Sequence, residues 1–345
     1  MFKISLSEIL KKLELTVPSN DGFSDFTLNG FASVDRSGPD DVTFWTGEAS
    51  KETGLSGNAG GISGGALSGV EAGLLFLPMS FEKACKDGVC SLLPQVRFAV
   101  PVENPYHSMV CFLQNFVEGK EHFEESRIDD GAQIHESAVV EGSVGCGAVI
   151  GPGCVVMKGA FVGEGCRLEA NVTVYPHVTI GRDCVFQAGT VVGSRGFGFY
   201  EYEGRRRIVP HLAGVRIGDR CSFGANTVVA AGFVSPTVIG NDCHFDSFVQ
   251  IAHNCVLGDN IFMAAQSGIA GSAVVEDDVL FAGGAQSTGH VTIGKGARIA
   301  AKAGVTKNVK AGSTVAGFPA EGIDNWRRSV VNLRLLGKKP RRLGR

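Results

Sequence analysis

No stretch of this sequence stays apolar for the ~18 residues that a membrane helix requires. The first residues, Met1-Phe-Lys-Ile-Ser-Leu6, lack the hydrophobic region of a signal peptide. Both absences argue for a cytoplasmic protein without a transmembrane segment. The ten cysteines contain no Cys-x-x-Cys pair, and no His-Glu-x-x-His segment is present, so the common zinc spacings are missing. Charged residues make up 19% of the chain and the formal net charge is −3. That balance suits a soluble folded protein, and no nucleic-acid partner is expected. Aromatic residues are modest at 8%. Glycine is abundant instead, at 48 of 345 residues. Tight turns and short strands are expected, rather than helical bundles.

The repeat accounts for that composition. From Val144 an apolar residue falls at every sixth position: Val144, Ile150, Val156, Val162, Leu168, Val174, Ile180, Phe186 and Val192. The series resumes at Ile217, Phe223 and Val229, shifts, and runs from Ile239 to Phe281. Ser287 interrupts it before Ile293, Ile299 and Val305. A period of six is neither helical nor that of a simple strand. It fits a parallel β-helix whose triangular coils take 18 residues, with each anchor pointing into the prism. Cys154, Cys166, Cys184, Cys221, Cys243 and Cys255 share one phase of the repeat and read as small buried side chains. Residues 193–216 lack the repeat, and a shorter break falls at 230–238. Insertions on such a scaffold are often functional loops.

The flanks differ in character. Residues 1–120 read as a small α/β domain, with a Ser-capped helix from Ser5 to Leu15 and strands within 26–45, 74–77 and 96–100. Eight glycines lie within 54–73. The repeat domain spans 125–318, and 319–345 is a basic tail with one helix from Asp324 to Leu336. Its cations include Arg327, Arg328, Arg334 and Lys338. They suit a solvated helix end or the docking of an acidic partner.

Two of the eight histidines stand out, His253 in Gln250-Ile-Ala-His253-Asn254 and His290 after Gly289. Their separation is two coils plus one residue, which places them on nearly the same face roughly 10 Å apart. That is too far to share a metal ion. Gly271 lies one coil beyond His253, so its amide could serve the same place. A base beside an unhindered N–H is the layout that acyl transfer needs. Asp246 is a candidate to orient the imidazole. On spacing alone, a structural histidine remains the competing reading.

The segments Gln250–Asn254, Ala264-Ala-Gln-Ser-Gly-Ile-Ala-Gly-Ser272, Thr288-Gly-His290 and Ala316-Gly-Phe-Pro-Ala320 resemble the UDP-3-O-acylglucosamine N-acyltransferases of lipid A synthesis. Asn29-Gly-Phe-Ala32, Val42-Thr-Phe44, Asn104-Pro-Tyr106 and Gly193-Ser-Arg-Gly-Phe-Gly-Phe199 match as well. The resemblance implies a homotrimer of left-handed β-helices. Its acyl donor would be a (3R)-3-hydroxyacyl chain on acyl carrier protein, and its acceptor the 2-amine of UDP-3-O-acyl-glucosamine. It further implies that His253 is the general base, Asp246 its partner and Gly271 the oxyanion donor. His290 would face the nucleotide phosphates, Asn254 the sugar and Phe44 the uracil. Lys307, Arg327 and Arg328 would face the acyl carrier protein, and no metal or bound cofactor is implied. The scaffold also suits an acyl- or acetyltransferase for another nucleotide-linked amino sugar, or a non-enzymatic binding module.

Overall fold

The computed structural model describes residues 2–16, 24–47, 67, 69–120, 122–317 and 320–338. Most of the glycine-rich 54–73 stretch lies outside the described residues. So do Phe318, Pro319 and the basic residues Lys339, Arg341, Arg342 and Arg345.

The repeat closes into a left-handed parallel β-helix. Its three faces are parallel sheets of 8, 9 and 10 short strands. Each strand pairs with the strand one coil away, as His244–Phe245 pairs with Phe262–Met263. The second residue of each pair points inward, so Ile251, Leu257, Met263, Ile269, Val275 and Phe281 are all buried in one continuous core. Burying apolar surface at ~25 cal/mol per Å2 is the main source of stability for such a column. Within it Phe186, Phe223 and Phe245 stack at centroid distances of 4.7 and 4.9 Å. The six repeat cysteines are buried beside them. Their thiols donate to backbone carbonyls, as Cys154 does to Glu169 at 2.7 Å and Cys255 to Ala270 at 3.3 Å.

The β-helix begins earlier than the sixfold series at Val144 indicates. Ile134 already pairs with Ile150 and Val140 with Val156, two residues short of a full coil. The last coil is short in the same way, since Ile299 pairs with Val315. A strict six-residue count misses both ends because it assumes a full-length coil.

The break at 193–216 is an insertion between Ile180 and Ile217, which remain paired across it. It carries an antiparallel hairpin, Phe199–Tyr202 with Arg205–Ile208. The shorter break lengthens the next coil between Ile217 and Ile239.

The N-terminal region is a four-stranded parallel sheet, ordered Gly30–Phe31, Asp41–Phe44, Ala72–Pro78 and Val96–Val102. Helix α1, Leu6–Lys12, starts at Ser5, whose hydroxyl accepts the Glu8 N–H at 3.2 Å. Helix α2, Pro105–Phe116, was not read from the sequence. Asn104 caps it by accepting the His107 N–H, with Pro105 as its first residue. The Asn-Pro-Tyr motif is therefore a helix start. Val209 of the insertion and Phe233 of the second break belong to the same apolar cluster as α1 and α2. Arg195 pairs with Glu118 at 2.7 Å, and Tyr200 bonds His107 at 2.7 Å. The two breaks in the repeat thus attach the N-terminal region to the β-helix. Helix α3 runs Ile323–Lys338.

Phe223 is 1% exposed between two other rings. Phe223→Ala is expected to cost about 3–5 kcal/mol of stability, read as a lower denaturant midpoint. A loss below about 1 kcal/mol would show that the ring column does not hold the coils together.

Candidate functional site

At the corner following Gln250–Ile251 the chain turns through Asn254, with φ of 60°. One coil on, Ser272 has φ of 59°, and two coils on, His290 has φ of 58°. The Ser272 N–H donates to the His253 carbonyl at 2.9 Å, and the His290 N–H to the Gly271 carbonyl at 3.1 Å. His253, Gly271 and Gly289 therefore form one stack, and Asn254, Ser272 and His290 the neighbouring one. The extra residue in the His253–His290 spacing is the step between the two stacks.

His253 is half-buried, and its ring lies against Gly271. A Cβ at Gly271 would sit 2.6 Å from its Cε1 and 2.7 Å from its Nε2. The other side is closed by the insertion, where a Cβ at Gly196 would sit 2.6 Å from the His253 Cβ. Only glycine fits at either place without moving the imidazole. Among the described residues, nothing accepts the Gly271 N–H.

The tautomer follows from Asn254. Its Nδ2 donates to the Ser235 carbonyl at 2.9 Å, and its Oδ1 accepts the Phe233 N–H at 3.1 Å. That fixes the amide orientation. The Oδ1 lies 3.2 Å from the His253 Nδ1, so Nδ1 must be the protonated nitrogen. Nε2, which lies toward Gly271, keeps its lone pair. Asn254 is itself held by its N–H on the Thr237 hydroxyl at 2.9 Å.

Asp246 lies on a different corner. Its carboxylate accepts the Ser247 N–H at 2.7 Å and the Ala265 N–H at 3.2 Å. Within one chain the imidazole is oriented by Asn254, and Asp246 caps a turn. His290 is exposed and lines a cleft of about 260 Å3 with Asn254, Ser272, Ser33, Arg36 and Ser235. Phe44 is outside that cleft. It is half-buried among Tyr106 and Phe233, at 5.5 and 6.0 Å. Lys307, Arg327 and Arg328 are exposed. Arg327 pairs with Asp324 at 3.6 Å, and Arg328 donates to the Asn325 side chain at 2.6 Å. Among the described residues, no three His, Cys, Asp or Glu side chains are grouped to hold a metal ion.

Two further contributors to this corner are not marked by the repeat. Arg36 puts a cation into the cleft from the N-terminal region. His211, on the insertion outside the repeat, is 8% exposed with its ring 4.7 Å from that of His253. A Cβ at Gly196 would reach its Nε2 at 2.8 Å, and one at Gly198 its Cε1 at 2.6 Å. The glycines of Gly196-Phe-Gly198 make room for this second ring. The available signal was a histidine inside an insertion that breaks the repeat.

Burial pushes His211 down to about 4, and the adjacent His253 adds to the effect. Its folded value lies below the ordinary one of ~6.5. Between those values the unfolded chain binds more protons, so the folded state loses stability as pH falls from ~6.5 toward 4. An imidazole NMR titration should give a midpoint near 4 for His211, and His211→Gln should flatten the stability slope in that window. A midpoint at the ordinary histidine value would contradict the burial.

The repeat is also found by comparison. The family described as bacterial transferase hexapeptide (six repeats) matches residues 159–194 and 236–271. The hexapeptide repeat of succinyl-transferase matches 214–246. A probable UDP-3-O-acylglucosamine N-acyltransferase 2, mitochondrial, of Arabidopsis thaliana is 38% identical over 170 residues, 49% of this chain and 56% of that one. A UDP-3-O-acylglucosamine N-acyltransferase of Pseudomonas syringae pv. tomato is 35% identical over 223 residues, 64% of each chain. The matched stretches thus span about half to two-thirds of these relatives. The crystal structure of a UDP-N-acetylglucosamine acyltransferase from Francisella novicida superposes with a TM-score of 0.46 at 24% identity. It covers 59% of this chain and 73% of that one. The names of the two sequence relatives agree with the family resemblance carried by the motifs.

Proposed function

We propose that this hexapeptide-repeat protein is an N-acyltransferase. It transfers a (3R)-3-hydroxyacyl chain from acyl carrier protein to the 2-amine of UDP-3-O-(3-hydroxyacyl)-glucosamine, giving UDP-2,3-diacylglucosamine. The observation that carries this reading is the 3.2 Å contact of His253 Nδ1 with Asn254 Oδ1, which assigns the proton to Nδ1 and leaves Nε2 on the Gly271 side. The names of the matched relatives supply the substrate class.

The acceptor amine attacks the thioester carbonyl carbon while Nε2 of His253 takes its proton. The oxyanion that forms on the carbonyl oxygen accepts the Gly271 N–H. Collapse expels the carrier thiolate, which leaves with a proton returned by the imidazolium, and the amide remains. Asn254, which accepts from Nδ1, holds the ring in this orientation throughout. His290 and Arg36, in the cleft beside this corner, suit the nucleotide phosphates. No metal or bound cofactor enters these steps.

The remaining assignments belong to the same proposal. The assembly is a homotrimer, and Asp246, on another corner, reaches an imidazole only across a subunit boundary. Phe44 serves the uracil side from the N-terminal region. Lys307, Arg327 and Arg328 offer exposed positive charge to an acidic carrier protein. No helix among the described residues is long and apolar enough to cross a membrane, and the proposed site of action is the cytoplasm.

The test is turnover of UDP-3-O-(3-hydroxyacyl)-glucosamine with a panel of 3-hydroxyacyl carrier proteins. His253→Ala should lose ~10²–10⁴-fold in kcat. Gly271→Ala keeps the amide but places a methyl against the ring, and ~10²-fold is expected from that displacement. Absence of turnover with every donor, from folded wild-type protein, would refute the assignment and point to another amino-sugar acceptor.

A further inference from the structure

Cys85 and Cys90 lie directly opposite each other on a hairpin of the N-terminal region. The strands Cys85–Lys86 and Val89–Cys90 are antiparallel, with Cys85 facing Cys90 and Lys86 facing Val89. Asp87 and Gly88 form the two-residue turn, with φ of 51° and 84°. Two positive φ values and an Asp-Gly pair define a type I′ turn, whose twist sets this register. The Ser91 N–H donates to the Ala84 carbonyl at 3.0 Å, so Ala84 and Ser91 form a hydrogen-bonded pair. Pairs alternate along an antiparallel ladder, which makes Cys85 and Cys90 a non-hydrogen-bonded pair. At such a pair the Cα atoms approach to about 4.5 Å and the side chains are closest. A disulfide takes Cα separations of about 4.4–6.8 Å, so no backbone movement is needed to form one.

We propose that Cys85 and Cys90 are a dithiol that closes to a cross-strand disulfide by exchange with a small-molecule disulfide. Access sets the order of events. Cys90 is 2% exposed and Cys85 is half-buried. The Cys85 thiolate attacks one sulfur of the oxidant and expels the first small thiolate, leaving a mixed disulfide on Cys85. The Cys90 thiolate then attacks the Cys85 sulfur and expels the second. Two protein protons are lost, the two cysteine sulfurs are oxidised and the small disulfide is reduced to two thiols. Burial and the neighbouring Cys90 thiol push the Cys85 thiol above the ordinary cysteine range, so exchange is slow at neutral pH. The column formed by Cys166, Cys184, Cys221 and Cys243 has no comparable route, because its thiols are buried within the β-helix and donate to carbonyls. Cys90 packs in the same cluster as Val34, next to Ser33 in the cleft. Closing the pair therefore stiffens the layer that seats that loop.

The test uses the intact native chain, incubated with oxidised glutathione at mildly alkaline pH, alkylated and then digested with trypsin. The expected product joins the peptide 84–86 to the peptide 87–97, at the summed mass less two hydrogens. Cys90→Ser should stop halfway, with one glutathione on Cys85. Recovery of both cysteines fully alkylated would overturn the proposal. So would a linkage that forms only after denaturation, or a Cys90→Ser protein that carries no adduct on Cys85.

Discussion

Register between successive coils is the constraint on which everything else depends. Each coil hydrogen-bonds to the one before it along three faces, so a residue is placed by its position within the coil and not by its neighbours in sequence. A slip of one residue would turn the whole anchor column outward. The same rule that buries Ile251 over Ile269 also sets Gly271 against His253 and His290 two coils from Asn254. The site is thus a by-product of stacking, sharpened by a few substitutions at one corner. Glycine at 271 admits the ring, asparagine at 254 accepts a left-handed turn while orienting it, and histidine at 290 faces the cleft.

The insertion and the second break complete that corner. Together they bring Gly196, His211, Phe233 and Ser235 onto a surface that the repeat alone would leave bare. Gly196 covers the imidazole, His211 packs beside it, and Phe233 and Ser235 fix the Asn254 amide. The same segments carry Val209 and Tyr200 into the N-terminal region. Binding the two parts of the chain and building the wall of the site are therefore one structural task.

Much of this was legible in the sequence, for a physical reason. The sixfold apolar series specifies strand direction, the buried phase and the stacking of distant residues at once, so the β-helix and the proximity of Gly271 to His253 could be read directly. The bounds 125–318 take in the short first and last coils, although the anchor series itself stops inside them because those coils depart from the period while keeping the pairing. Helix α2 escaped because its start was seen only as a motif and not as an Asn cap with a following proline. Insertions obey no period, so neither the hairpin nor the burial of His211 against His253 could be read from spacing. The role of Asn254 was hidden for a related reason. Its orientation is set by Phe233 and Ser235, which reach it from the preceding coil through the second break. Spacing suggested Asp246 as the orienting group, yet its carboxylate is occupied by two backbone N–H groups at another corner.

The central claim is that the corner formed by His253, Asn254 and Gly271 performs acyl transfer to an amine. A crystal structure of the protein with its diacylated product tests it most directly. The new amide nitrogen should lie about 3 Å from Nε2 of His253, with the amide oxygen on the Gly271 N–H at a similar distance. A product bound with its amide away from this corner, or an imidazole turned so that Nδ1 faces it, would contradict the account.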